Sequence, residues 1–273
     1  MKNKTVIYLV STFIWTWSCW ISAYVLTQSF GYNLQTDINI FDLFAGFSHP
    51  NELFVQLIFF LGVFGPLIGF IVTGSCKNLK LFPKFNKKYL LFVLLIPLLY
   101  SIPTIFISIF TGYFNPIKED VLLIASSIVL YFVSNFITSG TEEFGWRGYL
   151  YNNLKTKEKS FWAISWKGGL IWGLWHYPLL FIMYFNQGLM VLIPSLIGFT
   201  ASIVAMNFIT NYIYKETRSL PLVMTLHALN NTSSYIIILL FPKTPFLILS
   251  NIFVWFLVWV IDKKYVSKEE KKT

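Results

Sequence analysis

Residues 138–154 read TSGTEEFGWRGYLYNNL. They follow the apolar run VLLIASSIVLYFVSNFI (residues 121–137) and put Glu142, Glu143 and Arg147 inside what otherwise reads as one membrane helix. Charged side chains in hydrocarbon are costly, so three of them within six residues need a reason. Whether this stretch belongs in a membrane decides the fold.

Composition answers that first. The chain has 273 residues, of which 56% are hydrophobic and 12% charged, and its mean hydropathy is +0.63. Soluble domains carry about 25% charged residues, so the sequence predicts an all-α, polytopic membrane protein. The net charge of +9 does not indicate a nucleic-acid partner. The lysines sit in short loops between apolar spans, where they meet anionic lipid headgroups and set orientation. The two cysteines, Cys19 and Cys76, read as free thiols, one in a span and one in a Lys-rich loop. The N-terminal MKNK and the long apolar run after it, without a small-residue cleavage site, read as a retained first helix.

About 20 apolar residues span a bilayer. Segments 5–27, 53–74, 89–111, 121–150, 161–185, 188–214, 220–241 and 245–261 fit approximately, which gives about eight spans. No soluble domain fits between them, so residues 1–273 are expected to form a single membrane-embedded domain with a motif-bearing core at about 121–241. The long 30s–40s loop has room for a short interfacial helix. Eighteen of the 21 basic residues fall at the N-terminus, in 75–88, in 155–167, at 215–218 and in the tail. The positive-inside rule then places both termini and these loops in the cytosol. Lys118 and Lys243 lie on the other side, and Arg147 lies within the fourth span.

The ionisable residues within spans are Glu142, Glu143, Arg147, His176 and His227; the remaining histidine, His49, reads as part of a turn. A helix rises about 1.5 Å per residue, so His176, nine residues after Lys167, lies about 14 Å in from that cytosolic marker. His227, nine after Arg218, lies at the same depth, and Glu142 and Asn231 lie about a turn deeper. Three helices thus bring polar side chains to one stratum of the cytosolic half. Glu143 and Arg147 are four apart in the favoured order for an ion pair. Glu142 points about 100° away, has no local basic partner and is left free to accept a proton. His227 and Asn231 share a face, and Trp172, four before His176, can wall the same side.

Simpler readings exist for each part. Ser139–Glu142 matches a capping box, with Gly140 marking a helix break. His176 alone could be a packed histidine, and HALNN could be hydrogen-bonding glue between helices. Gly145, Gly148, Gly168, Gly169 and Gly173 read as close-packing positions. A transporter with a Glu–His proton relay would need polar residues continuing outward, and the outer halves of these spans read as mostly Leu, Ile, Phe and Val.

Taken together, the set suits acyl chemistry. A carboxylate and an imidazole can hold and deprotonate water, while a second imidazole and an amide can donate to a developing oxyanion. No Ser-His-Asp arrangement and no H-E-x-x-H motif occurs. Two histidines and a glutamate can also hold zinc, so the residues leave Zn on Glu142, His176 and His227 open.

The motifs E-E-x-x-x-R (Glu142, Glu143, Arg147), aromatic-x-x-x-His (Trp172, His176) and H-x-x-x-N (His227, Asn231) resemble, in order and spacing, those of the CPBP family of intramembrane proteases. That family comprises CAAX-prenyl endopeptidases and bacteriocin-processing (Abi) proteins. Trp172 stands where the family usually has Phe. The resemblance implies peptide-bond hydrolysis within the membrane, with Glu142 and His176 activating water and His227 and Asn231 holding the oxyanion. Glu143, Arg147 and Trp172 would support them, and on this resemblance water activation without a metal is favoured over zinc. The expected substrates are a CAAX-type prenyl protein, a peptide pheromone or bacteriocin precursor, or a membrane protein. The alternative is a non-enzymatic bacteriocin-immunity or surface-display regulator of the same fold.

Overall fold

The computed structural model describes residues 2–36, 39–45, 47, 49–78, 87–115 and 121–267, and every regular element among them is helical. The helices are α1 (Lys2–Phe30), α2 (Pro50–Val72, with a tight 3-10 turn at Gly62–Phe64), α3 (Lys87–Phe110), α4 (Val121–Ile137), α5 (Phe144–Lys155), α6 (Phe161–Trp175), α7 (Tyr177–Tyr184), α8 (Leu189–Thr217), α9 (Leu220–Leu240) and α10 (Leu247–Ile261). The long first loop carries one helical turn at Asp42–Ala45. Cys19 and Cys76 are not bridged.

All eight apolar segments are helical. Six helical segments, including α4 and α5 taken together, are long and apolar enough to cross a membrane by length and composition. The fifth and eighth segments fall short of that measure for identifiable reasons. Pro178 lacks the N–H that would continue α6, so the chain bends at His176 and restarts as α7. The eighth, α10, has 15 residues before a wide π turn at Asp262–Val266.

Side-chain caps start two of the helices. Ser160 accepts a hydrogen bond from the Trp162 amide at α6, and Ser219 accepts one from the Leu222 amide at α9. Between α4 and α5 the chain breaks at Thr138 and passes through a 3-10 turn, Ser139–Thr141. Phe144–Tyr151 then winds as a π helix. The Asn152 amide donates to the carbonyls of both Arg147 and Gly148 at 3.0 Å, satisfying acceptors that the wider winding leaves over.

The main packing partners are α6 with α8, α1 with α2, and α9 with both α3 and α4. Small residues allow the closest approaches. A Cβ on Gly145 would lie 2.5 Å from the Pro66 carbonyl oxygen, and one on Gly169 would lie 2.7 Å from the Val204 Cα.

The basic loops gather at one end of the bundle. There Lys157 reaches Thr5 (3.3 Å), Arg218 reaches Asn152 (3.2 Å), Tyr89 donates to Glu216 (3.0 Å) and Trp162 donates to Asp262 (2.9 Å). At the opposite end the Asn115 amide meets the Leu240 carbonyl at 3.0 Å, and Ser108 meets Thr244 at 2.7 Å. Lys80, Lys84, Lys118 and the basic tail from Lys268, which also enter the orientation argument, lie outside the described residues.

Candidate active site

The 3-10 turn ends at Glu142, which is buried. Its carboxylate does not cap Ser139, whose hydroxyl instead contacts the Asn135 side-chain oxygen at 3.3 Å. Two indoles hold it: Trp146 Nε1 and Trp172 Nε1 each lie 3.1 Å from Glu142 Oε2. Trp146 is one helical turn along the same segment, and Trp172 comes from α6. Two donors on one oxygen distinguish the two halves of the carboxylate and leave Oε1 as the less committed acceptor.

His176 sits in the bend between α6 and α7, among the rings of Trp175, Trp20 and Phe199. Its Nδ1 lies 2.9 Å from the Trp172 carbonyl oxygen. A carbonyl only accepts, so Nδ1 carries the hydrogen and the neutral ring keeps its lone pair on Nε2.

His227 departs from the expected grouping. Its Nδ1 lies 2.9 Å from Glu143 Oε1, so Nδ1–H donates to a carboxylate and Nε2 is left for other partners. Glu143 therefore serves two helices at once. Its other oxygen pairs with Arg147 at 2.7 Å, and both side chains are fully buried. The Arg147 guanidinium also donates to Asn207 (2.9 Å) and to the Thr210 hydroxyl on α8, and stacks on the Trp172 ring at 4.8 Å. A buried ion pair with this many extra donors and acceptors is the kind that survives desolvation.

Asn231 shares a face with His227, and a polar chain fixes its amide. The Asn135 Nδ2 donates to the Tyr131 carbonyl (3.0 Å), so its Oδ1 faces Asn231 and accepts from Asn231 Nδ2 (2.9 Å). Asn231 Oδ1 in turn accepts from Asn230 (3.1 Å), whose own oxygen accepts from the Tyr100 hydroxyl. Because a backbone carbonyl anchors the chain, each amide can point only one way. Asn231 is left with one uncommitted N–H.

Glu142, His176, His227 and Asn231 all line one cavity of about 800 Å³. They meet through that space; among the described residues no direct hydrogen bond joins Glu142 to either imidazole. Beyond them the wall carries Ser134, Ser195, Ser202, Ser234 and Asn251. The halves of the spans remote from the basic loops are thus more polar on this cavity-lining face than their hydropathy suggests. The sequence reading passed over Trp146, Asn135, Asn230, Tyr100, Asn207 and Thr210. The signal for Trp146 was its place four residues after Glu142. For the asparagines it was their presence in apolar spans, where amides need partners.

Among the described residues no three His, Cys, Asp or Glu side chains are grouped so as to hold a metal ion. The Glu142–His176–His227 set does not fit zinc in this arrangement: one Glu142 oxygen is occupied by two indoles, and the nearest carboxylate to His227 is Glu143.

Two comparisons bear on this site. A family model described as type II CAAX prenyl endopeptidase Rce1-like matches residues 124–233, a range that includes every residue singled out above from Glu142 to Asn231. CAAX prenyl protease 2 of Methanococcus maripaludis is 27% identical over 261 residues, covering 84% of this chain and 83% of the relative. Over its motif-bearing core, and more weakly over most of its length, the chain is thus similar to CAAX prenyl endopeptidases.

Proposed function

We propose that this chain is an intramembrane endopeptidase that hydrolyses a peptide bond of a membrane-associated substrate. The observation that carries the reading is the shared cavity of Glu142, His176, His227 and Asn231, with Glu142 held by two indoles and each histidine's tautomer set by a partner.

In this reading a water sits between Glu142 Oε1 and His176 Nε2. As its oxygen attacks the scissile carbonyl carbon, Glu142 takes the proton. The carbonyl oxygen becomes negative and receives hydrogen bonds from the free Asn231 N–H and from His227 Nε2–H. Donation from Nε2 requires a proton on each ring nitrogen of His227, with Nδ1–H held by Glu143 Oε1. Collapse of the tetrahedral intermediate breaks the C–N bond, and the proton held by Glu142 passes to the leaving amine. Glu143 and Arg147 position His227, and Trp172 and Trp146 position Glu142. No step calls for a metal.

The basic loops face the cytosol in this reading. The four residues then lie in the cytosolic half, since Glu142 is ten residues from Asn152 at the basic end and 21 from Val121 at the other. The partners are membrane lipids and a peptide or membrane-protein substrate, with no nucleic acid. The relative's name points to CAAX-type prenyl substrates, and peptide precursors are the other class. Purified protein should release a new carboxyl terminus from a farnesylated CAAX peptide or from an unmodified membrane-anchored peptide, as read by mass spectrometry. Failure to cleave either would contradict the reading.

A further inference from the structure

We propose that Thr16 and Trp17 of α1 are positioning residues for His176: they grip the preceding residue, Trp175, and so fix the tautomer and aim of the imidazole. The consequence for catalysis rests on the endopeptidase reading above; the grip itself rests on hydrogen bonds alone.

A helix end leaves its last carbonyls without partners inside the helix. Where α6 stops, three of these carbonyls are taken. The Trp172 carbonyl oxygen lies 2.9 Å from His176 Nδ1, and the Gly173 carbonyl accepts from the His176 amide at 3.1 Å. The Trp175 carbonyl accepts from the Trp17 indole at 3.0 Å, across 158 positions of sequence. His176 closes one helix and opens the next, so the direction of its ring depends on how this bend is held.

Trp175 is gripped at its other end as well. Its indole Nε1 donates to the Thr16 hydroxyl at 2.8 Å. Thr16 is fully buried and donates in turn to the Gly62 carbonyl at 2.7 Å. One hydroxyl thus spends its single hydrogen on α2 and a lone pair on α6. The base of the grip is itself anchored. Trp15 and Trp20 donate to the carbonyls of Leu61 and Phe59 at 2.8 and 3.0 Å, beside the 3-10 turn of α2. A Cβ on Gly65 would collide with Thr16 Oγ1, so the two helices meet there with no room for a side chain.

What the grip holds is the spacing of the two water-activating groups. The Trp175 ring meets the His176 ring edge-to-face at 4.6 Å and the Trp146 ring edge-to-face at 5.8 Å. Trp146 donates to Glu142. Trp175 therefore stands between the imidazole and an indole that holds the carboxylate. Among the described residues Trp175 and His176 line the cavity, and Thr16 and Trp17 do not. Their influence on the reaction passes through Trp175, which makes them positioning residues. With the bend released, the bond from His176 Nδ1–H to the Trp172 carbonyl loosens, and both neutral tautomers become populated.

Three variants of the full-length protein separate this from plain packing. Thr16→Val keeps the shape and loses the hydroxyl, Thr16→Ser loses a methyl and keeps the hydroxyl, and Trp17→Phe loses the indole N–H. Trp17 is only partly buried, so Trp17→Phe carries the test if Thr16→Val does not fold. The first readout needs no substrate: nitrogen-15 NMR of detergent-solubilised protein labelled at histidine, with the His176 signals assigned through His176→Gln. Wild type and Thr16→Ser are expected to show one His176 tautomer with the hydrogen on Nδ1. Thr16→Val and Trp17→Phe are expected to show both tautomers. On a cleaved peptide, Thr16→Val and Trp17→Phe should lower kcat about tenfold at unchanged KM, the scale of one lost hydrogen bond, with Thr16→Ser near wild type. A packing role predicts the reverse order, since Val preserves the buried volume better than Ser. A single His176 tautomer in both Thr16→Val and Trp17→Phe would overturn the proposal, as would a Thr16→Ser protein slowed as much as Thr16→Val. If wild type cleaves no peptide, the endopeptidase reading falls and the NMR spectra still decide on the grip.

Discussion

Glu143 Oε1 lies 2.9 Å from His227 Nδ1, a contact between residues 84 positions apart in the chain. With the Arg147 pair on its other oxygen, Glu143 joins α5 to α9 and, through Asn207 and Thr210, to α8. Removing one member leaves a buried charge without its partner, which costs about 3–5 kcal/mol. Glu143→Ala and Arg147→Ala are therefore expected to lower the unfolding temperature of the detergent-solubilised protein markedly. An unchanged Tm for either would show that the pair does not hold the helices together.

Trp172 donates its indole N–H to Glu142 at 3.1 Å. Phe keeps the ring face under Arg147 and removes only the donor. Hydrogen bonds to charged groups contribute about 1.5–3 kcal/mol, so Trp172→Phe is expected to lower kcat roughly 10- to 100-fold. KM should stay near the wild-type value, because the indole acts on the carboxylate and not on the substrate. A raised KM at constant kcat would place Trp172 in substrate binding instead.

Asn135 orients Asn231 through a 2.9 Å hydrogen bond anchored on the Tyr131 carbonyl. If it acts through Asn231, its loss matters only while Asn231 is present. Asn135→Leu alone should slow cleavage about tenfold, the scale of one lost hydrogen bond. In an Asn231→Ala background it should have no further effect, which a double-mutant cycle measures directly. Additive losses would assign Asn135 a separate, structural part.

Among the described residues the carboxylate and imidazole groups do not form a three-ligand set for a metal. Cleavage is accordingly expected to continue at an unchanged rate after treatment with 1,10-phenanthroline, and elemental analysis of active protein should find zinc well below one atom per chain. A rate abolished by the chelator and restored by zinc would contradict this.

The membrane character, the helical segments and the four-residue cavity group were legible because each rests on local rules. Apolar run length marks spans, and the offsets Glu143–Arg147 and His227–Asn231 follow helical geometry. The break before Glu142 was legible too, from Gly140 and the excess length of the span. What the sequence does not carry is which partner wins when several are in reach. Glu142 could cap Ser139 or meet an indole, and the choice depends on α6 packing Trp172 against it. Glu143 and Glu142 differ by one position, yet only the tertiary arrangement of α9 gives His227 to Glu143. The π winding of Phe144–Tyr151 also shifts the register of that face away from a regular helix, which spacing arguments assume. The polar inner wall was hidden because hydropathy averages around a helix, whereas Ser195, Ser202 and Ser234 are placed on one side of theirs.

In the proposed reaction Glu142 is the base that activates water. Gln at this position keeps the volume and an oxygen for the two indoles, and cannot take the proton. The direct measurement is the cleavage rate of purified Glu142→Gln beside wild type, on the same peptide, with the unfolding temperature of both recorded. A fall of roughly 10²- to 10⁴-fold, the span of general acid–base contributions, is expected at an unchanged Tm. A Glu142→Gln protein that is folded and cleaves within about twofold of wild type, against that expectation, would contradict it.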